Sequence, residues 1–546
     1  MHNQQKHGHH CSASGCCGVR VSAVSRRQFL AGASAAALGG AMLRQMGAMP
    51  IASASAGVAR VALQDKPLRM QPVLLYERYQ RHEATSWRGW SGLITEEHAE
   101  QERGRIREEI GAMSAKADFP LEMLPLLSVR NAEEAQQAAA GDHDGVIVYG
   151  ASGHTGLLTA LTNPEKWNLM FVRHRTGPAY LWYEIVHPRF LRRETDLFQG
   201  TGGMDIHDVV VDDHGELLWR LRALHGLKNI KGKRIIAIGG ALGWDKGGNS
   251  QAPQHARDRW GMDIIEVPYE QLKERIVAAR ADAALVQRCH EEAHEYLAQP
   301  GVTLYPLQEE LTTAELLAGR GSPQTLEHMK RFVENAFVLT EVFRGLMAEH
   351  QTDALTVGHC MGTIIPMSET TACLCLTLLN DAGCMAFCES DFVVIPSGIL
   401  LHYISGKPVF FCNPTYPHNN MVTIAHCTAP RRMDGEHYEA VAIRTHFESD
   451  YGAAPKVAMR PGQEMTLLVP AFSGERWIGF TGKVLENPAL DICTSQVDIG
   501  INADSKRLLE EMQGFHWMTC YGNYLRETGY ALKRAGIQWL NLSATV

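Results

Sequence analysis

What the chain lacks narrows its class first. No stripe of lysine and arginine interleaved with aromatics occurs in the 546 residues, and the formal net charge is -8. The electrostatic footprint of a nucleic-acid binder is therefore missing. Beyond the N-terminal region no uninterrupted apolar run approaches the ~20 residues needed to cross a bilayer, so stable membrane insertion of the mature chain is not expected. Thirteen cysteines are present, yet no two form a C-x-x-C pair and no zinc-finger spacing occurs. Most stand inside apolar runs such as Ala372-Cys373-Leu374-Cys375-Leu376. They read as small buried apolar residues and not as a disulfide framework.

What is present fits a large globular chain. The hydrophobic fraction is 45%, and the length admits roughly two to four domains, each with its own core. The first 56 residues stand apart. Ser25-Arg26-Arg27-Gln28-Phe29-Leu30 precedes a small, apolar stretch from Ala31 to Met42, and Ala52-Ser53-Ala54-Ser55-Ala56 offers small-residue cleavage sites. This order resembles a twin-arginine export signal, which implies export in folded form to a periplasmic or other extracytoplasmic location. Upstream, His2, His7, His9, His10, Cys11, Cys16 and Cys17 form a tract able to bind soft or borderline metals. The simpler reading, which we prefer, is a polar leader discarded with the signal.

From about Val58 to Pro188 strand and helix signals alternate. Pro72–Tyr76, Gly145–Tyr149 and Asn168–Val172 are strand-like, and Glu96–Lys116 is a charged amphipathic helix. The pattern predicts a parallel sheet with crossover helices over residues 57–205. Gly150-Ala151-Ser152-Gly153-His154-Thr155-Gly156 follows one strand and admits two readings. It is either a dinucleotide pyrophosphate loop or a tight turn that packs a helix on the sheet. Arg173-His174-Arg175, at the end of the next strand, suits a 2′-phosphate and offers no acidic partner for a ribose.

A second α/β unit is expected over 206–406. Helices are expected at Gly215–Leu227, Tyr269–Arg280, Thr325–Glu349 and Ser368–Asn380, the last capped by Ser368. Strands are expected at Lys233–Ile238, Asp353–Val357 and Cys384–Phe387. Over 407–546 the texture turns β-rich, with short strand-like runs at Pro408–Cys412, Met421–Ala425, Tyr438–Phe447, Glu464–Val469 and Trp477–Val484. Helices follow at Lys506–Gln513 and Tyr521–Ala535. The expected fold class is α/β: two successive doubly wound parallel-sheet domains, then a mainly antiparallel C-terminal domain.

The chemistry-bearing residues concentrate late in the chain. Cys388-Glu389-Ser390-Asp391 delivers two carboxylates to the mouth of a strand, where ligands of open α/β sheets bind. Asp391 serves equally well as the N-cap of a helix beginning near Phe392. His426 ends the apolar run Val422-Thr423-Ile424-Ala425, and His516 lies in Gly514-Phe515-His516-Trp517, a loop expected before the final helix. Together with Glu389 they supply one oxygen and two nitrogen ligands from separate segments, although either histidine alone also reads as a core residue. His359, in Gly358-His359-Cys360, lines a pocket or the core. Trp244 and Trp517 stack on a sugar face or serve as ordinary packing residues.

The order Cys388-Glu389-Ser390-Asp391, Gly406-Lys407-Pro408-Val409-Phe410-Phe411, Ala425-His426-Cys427 and Gly514-Phe515-His516 resembles the L-fucose isomerase and L-arabinose isomerase superfamily over about Asp353–Leu542. The resemblance implies a manganese-dependent aldose–ketose isomerase, a monosaccharide substrate and a homo-oligomer. Glu389 would match the glutamate that binds Mn2+ and transfers the proton, with His426 and His516 as further ligands. The position of the second acidic ligand is Asn413, which would be a metal ligand through its amide oxygen but brings no charge and cannot act as a base. Asp391 is the residue nearest in sequence to share the proton transfer. The implied reaction passes through a cis-enediolate, stabilised by the cation as a Lewis acid. Two other readings remain: a carbohydrate-binding protein on the same scaffold, with Asn413 marking lost catalysis, and an NAD(P)-dependent oxidoreductase using Gly150–Gly156.

Overall fold

Runs of Val, Ile and Leu buried on both faces become parallel strands, because crossover helices shield each side of the sheet. The computed structural model describes residues 65–78, 80–84, 92–180, 185, 190–191, 203–245, 250–305 and 326–543. The leader, with its histidine and cysteine tract and its arginine pair, lies outside the described residues. The first sheet contains β1 (Leu68–Leu75), β2 (Leu121–Met123), β3 (Leu127–Val129), β4 (Gly145–Gly150), β5 (Trp167–Val172) and β6 (Val209–Val211). Its order is β2-β1-β4-β5-β6, with β3 also against β1, and every pair is parallel. The sheet thus extends past residue 205, where the sequence suggested a boundary. Helices α1 (Glu96–Ser114), α2 (Ala132–Ala140) and α3 (Thr155–Leu161) connect its strands, and α4 (His214–Ile230) follows β6.

The second sheet is also parallel, with β7 (Arg234–Ile238), β8 (Asp263–Val267), β10 (Ala354–Val357) and β11 (Met385–Cys388) in the order β11-β10-β7-β8. Its helices are α5 (Ala252–Trp260), α6 (Tyr269–Ala281), α7 (Ala283–Leu297), α8 (Leu326–Glu349), α9 (Ile365–Ser368), α10 (Cys373–Asp381) and α11 (Ile395–Ser405). One expected helix, Ser368–Asn380, is split. Ser368 closes α9 by donating to Ile364 O at 2.8 Å, and Glu369 turns left-handed at φ +52°. The Thr370 and Thr371 hydroxyls donate to Phe332 O and Ala453 O. Side-chain bonds of this kind compete with helical continuation.

The C-terminal region is antiparallel and contains a closed barrel. Its strands are β12 (Phe410–Pro414), β13 (Met421–His426), β14 (Ala440–His446), β15 (Tyr451–Ala458), β16 (Glu464–Pro470), β17 (Arg476–Glu486), β18 (Ser495–Ile501), β19 (Trp517–Tyr521) and β20 (Gln538–Asn541). The ring runs β16-β19-β12-β13-β18-β17 and returns to β16, all antiparallel, and β20 joins β17 in parallel. Closure removes the exposed edges that an open sheet would leave. Beside the barrel, β14 pairs with β15 and, in parallel, with β9 (Val302–Leu304), a strand contributed from between α7 and α8. Helices α12 (Ser505–Glu511) and α13 (Leu525–Arg534) complete the region. The helix expected from Tyr521 starts at Leu525, and the residues before it form strand β19 instead of a loop, so His516 leads into a barrel strand.

Helix α11 packs between the second sheet and the barrel. A Cβ on Gly398 would lie 2.8 Å from the Phe387 ring on β11 and 2.9 Å from the Met518 sulfur on β19. Alanine is normally the better helix former. Here Gly398→Ala should nevertheless lower stability by about 1–3 kcal/mol through overpacking, read as a lower urea midpoint at unchanged m-value.

A second expectation concerns Asp381, the last residue of α10. Its Oδ1 accepts the N–H groups of Arg431 and Arg432 at 2.7 and 2.9 Å, and its buried Oδ2 has no hydrogen-bond partner among the described residues. Burial outweighs the two bonds and pushes the carboxyl up to about 7. The folded state therefore holds the proton over a range where the unfolded chain, with a pKa of about 3.9, has lost it. The contribution to stability is complete below the unfolded value and is lost as pH rises through about 7. Asp381→Asn, which keeps the accepting oxygen and cannot ionise, should flatten this decline in urea midpoints measured across neutral pH.

Candidate metal centre

Glu389 follows directly on β11, and the backbone there is held in an unfavourable conformation. Glu389 and Ser390 both lie in the left-handed region, at φ +62° and +49°, which costs non-glycine residues roughly 1–2 kcal/mol each. The neighbouring strands compensate. Ser390 N donates to the Thr356 hydroxyl of β10 at 3.1 Å, and the loop after β7 clasps the turn through Leu242 N to Ser390 O (3.2 Å) and Phe392 N to Leu242 O (3.1 Å). Asp391 Oδ1 accepts the N–H groups of Trp244 at 3.2 Å and Val393 at 3.1 Å. The carboxyl ends of β7, β10 and β11 thus fix the direction in which Glu389 points, at the sheet mouth where ligands of parallel sheets bind.

The two histidines come from the barrel. His426 ends β13, His516 precedes β19, and Phe411 on the intervening β12 touches both rings, with centroids 4.9 Å from His426 and 4.4 Å from His516. His426 Nε2 lies 3.4 Å from Glu389 Oε1, and His516 Nε2 lies 3.3 Å from Glu389 Oε2. One ligand atom from each of Glu389, His426 and His516 falls within 4.8 Å of the others. Both imidazoles are buried, and the Glu389 side chain keeps 33% of its surface exposed.

A second set of contacts orients the ligands. His516 Nδ1 hydrogen-bonds the fully buried Asp391 Oδ2 at 2.7 Å, so with the proton on Nδ1 the Nε2 lone pair faces Glu389. That Nε2 is buried and makes no hydrogen bond among the described residues. A ligating imidazole whose other nitrogen is held by a carboxylate has this arrangement, and the residues fit a divalent cation. His426 Nδ1 is flanked by the Thr428 hydroxyl at 3.3 Å and the Cys427 thiol at 3.7 Å. Burial works against ionisation of Glu389, but His426 and His516 outweigh it and hold the carboxyl well below the usual carboxylate range. Burial likewise disfavours the His516 cation, while the Asp391 hydrogen bond and the nearby Glu389 carboxylate raise its pKa above the ordinary histidine value.

No family model and no curated protein matches the chain.

The other residues singled out from sequence are placed as follows. Asp391 is neither a helix cap alone nor open to a substrate, since one oxygen serves two backbone N–H groups and the other His516. Asn413 pairs across the β12–β13 ladder with Ala425, the residue before His426. His359 is exposed at the carboxyl end of β10 and left-handed at φ +43°. Trp517 does not face a sugar: it is wholly buried, edge-on to Phe480. Trp244 is the open tryptophan, 49% exposed, stacked 4.7 Å from Phe515 and edge-on to His516. Phe411 and Phe515 escaped the sequence reading, although both lie within the motifs that carry the site. A cavity of about 750 Å³ bordered by Trp219, Tyr530 and Trp539 includes none of the three ligand residues.

Three N–H groups of the Gly150–Gly156 turn are committed internally. The N–H groups of Ala151 and Ser152 donate to Leu75 O, and His154 Nδ1 takes that of Gly156. These groups are thereby withdrawn from a pyrophosphate cradle. Arg173 is buried against Glu102 and Glu109 at 2.6 Å each, a cross-link within the first sheet's layer and not a 2′-phosphate contact.

Loss of the Asp391 contact should weaken metal binding without removing a ligand. Asp391→Asn is expected to reduce Mn2+ affinity about 10–100-fold, measured by equilibrium dialysis with the fold checked by circular dichroism. Unchanged affinity would show that Asp391 does not orient His516.

Proposed function

We propose that this chain is a metal-dependent aldose–ketose isomerase of the fucose/arabinose isomerase type, acting on a monosaccharide. The observation that carries this reading is the convergence of Glu389, His426 and His516, drawn from three separated segments, with the buried Nε2 of His516 directed at Glu389. These residues would hold the cation, which we take to be Mn2+. When bound, a divalent cation supplies a Lewis acid for two adjacent sugar oxygens. The rest of the chemistry belongs to the chain. Glu389 is ionised and partly exposed, so it can carry a proton between neighbouring carbons. Asp391 keeps His516 in the ligating tautomer and is a positioning residue. Asn413 adds neither charge nor a base, so proton transfer falls to Glu389 alone.

The same reading takes residues 1–56 as a twin-arginine leader, the site of action as extracytoplasmic, and the working form as a homo-oligomer. It divides the remainder into two doubly wound units and a barrel-bearing third, with the boundary expected at 205/206 moved past β6 and the one at 406/407 kept.

The test is ketose formation from a panel of aldoses by the purified protein with and without Mn2+. Glu389→Gln should lower kcat by at least about 100-fold, and Glu389→Gln and His516→Ala should both lose bound metal. Full metal retention in both folded variants would overturn the site. Asn413, standing where the resemblance expects an acid, also supports a second reading as a carbohydrate-binding protein. Sugar-dependent thermal stabilisation with no turnover would select it.

A further inference from the structure

Behind His426 a second set of ligand-type side chains converges. Cys373 opens α10, Cys427 follows β13, and His446 ends β14, where the β14–β15 register shifts. One ligand atom from each lies within 4.8 Å of the others, and all three side chains are buried. The two thiols do not belong to the main apolar core; with Ala454 they form a small separate patch. His446 Nδ1 is held by the Ser449 hydroxyl at 3.2 Å, which leaves Nε2 as the ligating atom. Three elements distant in sequence supply the group, so no cysteine spacing could have announced it.

We propose that Cys373, Cys427 and His446 form a second metal centre, selective for Zn2+. The ligand set decides the class of ion. Thiolate sulfur and imidazole nitrogen suit closed-shell, thiophilic cations and disfavour manganese, which prefers oxygen. Burial then decides between the two commonest candidates. Zn2+ with two thiolates and a neutral imidazole is electrically neutral, whereas Cu+ with the same ligands leaves one uncompensated negative charge in a dry site. The two centres stand back to back: His426 and Cys427 are adjacent in sequence, and His426 Nδ1 lies 3.7 Å from Cys427 Sγ. A nitrogen/oxygen site and a sulfur/nitrogen site thus share the segment at the end of β13.

The experiment uses the full chain, purified and reduced, with Co2+ as a spectroscopic stand-in for Zn2+. Wild type should show thiolate-to-cobalt charge-transfer absorption. The band should vanish in Cys373→Ser and in Cys427→Ser, shift in His446→Gln, and persist in Glu389→Gln and His516→Ala, which separates this centre from the isomerase reading. Because the cysteine variants are buried and prone to misfold, a measurement on wild type stands beside them. Zn2+ should shield Cys373 and Cys427 from alkylation, read by peptide mass mapping. Absence of the band in wild type, its survival in the double cysteine variant, or alkylation of both thiols at saturating Zn2+ would each overturn the proposal. So would a Cys373–Cys427 disulfide that takes up no metal after reduction. Retention of Cu+ against bicinchoninate, with no Zn2+ retained against a chelator, would overturn the choice of ion.

Discussion

The hydrogen bond between Asp391 and His516, 2.7 Å long with both partners buried, joins the mouth of the second parallel sheet to the barrel. The carboxylate sits at the end of β11, held by two backbone N–H groups, and the imidazole precedes β19. Removing one partner of a buried charged pair typically costs about 3–5 kcal/mol, because the other is left uncompensated. The bond also sets chemistry, since it decides which His516 nitrogen faces Glu389. One contact therefore aligns two architectures and one ligand.

The turn at Glu389 and Ser390 shows how such alignment is maintained. Two left-handed non-glycine residues in succession are unfavourable alone, and they persist because β7, β10 and Asp391 over-determine them. The arrangement trades local stability for direction. Glycine at 389 would relax the backbone and abolish the carboxylate, so the strain follows from requiring an acid there. The exposed, left-handed His359 at the end of the adjoining strand places a third such residue on the same rim.

Much of this was legible in the sequence, and the gaps have physical causes. Parallel strands such as Ile235–Ile238 and Val146–Tyr149 announce themselves because burial on both faces leaves an unbroken apolar run. Barrel closure did not, because β18 carries Asp498, whose acceptance in a buried strand depends on the Thr423 hydroxyl of β13, far away in sequence. The short strand Trp517–Tyr521 reads as loop, which places His516 before a helix, although its candidacy as a ligand is readable. Glu389 and His426 ended apolar runs and were found by that position together with the order of the motifs. The inward turn of Asp391 was not, since it depends on the N–H groups of Trp244 and Val393. The cysteines read individually as apolar filler, and the convergence of Cys373, Cys427 and His446 exists only in three dimensions.

The 125 residues that separate Asp391 from His516 set an order of events during synthesis. At a translation rate of roughly 5–20 residues per second, Asp391 waits on the order of ten seconds for its partner. During that interval the β11 turn lacks the contact that fixes Asp391 Oδ2, and β12 lacks β19, its neighbour in the ring. Barrel and cluster are completed together when β19 arrives. Assembly of the cluster thereby becomes a mark of a correctly finished chain.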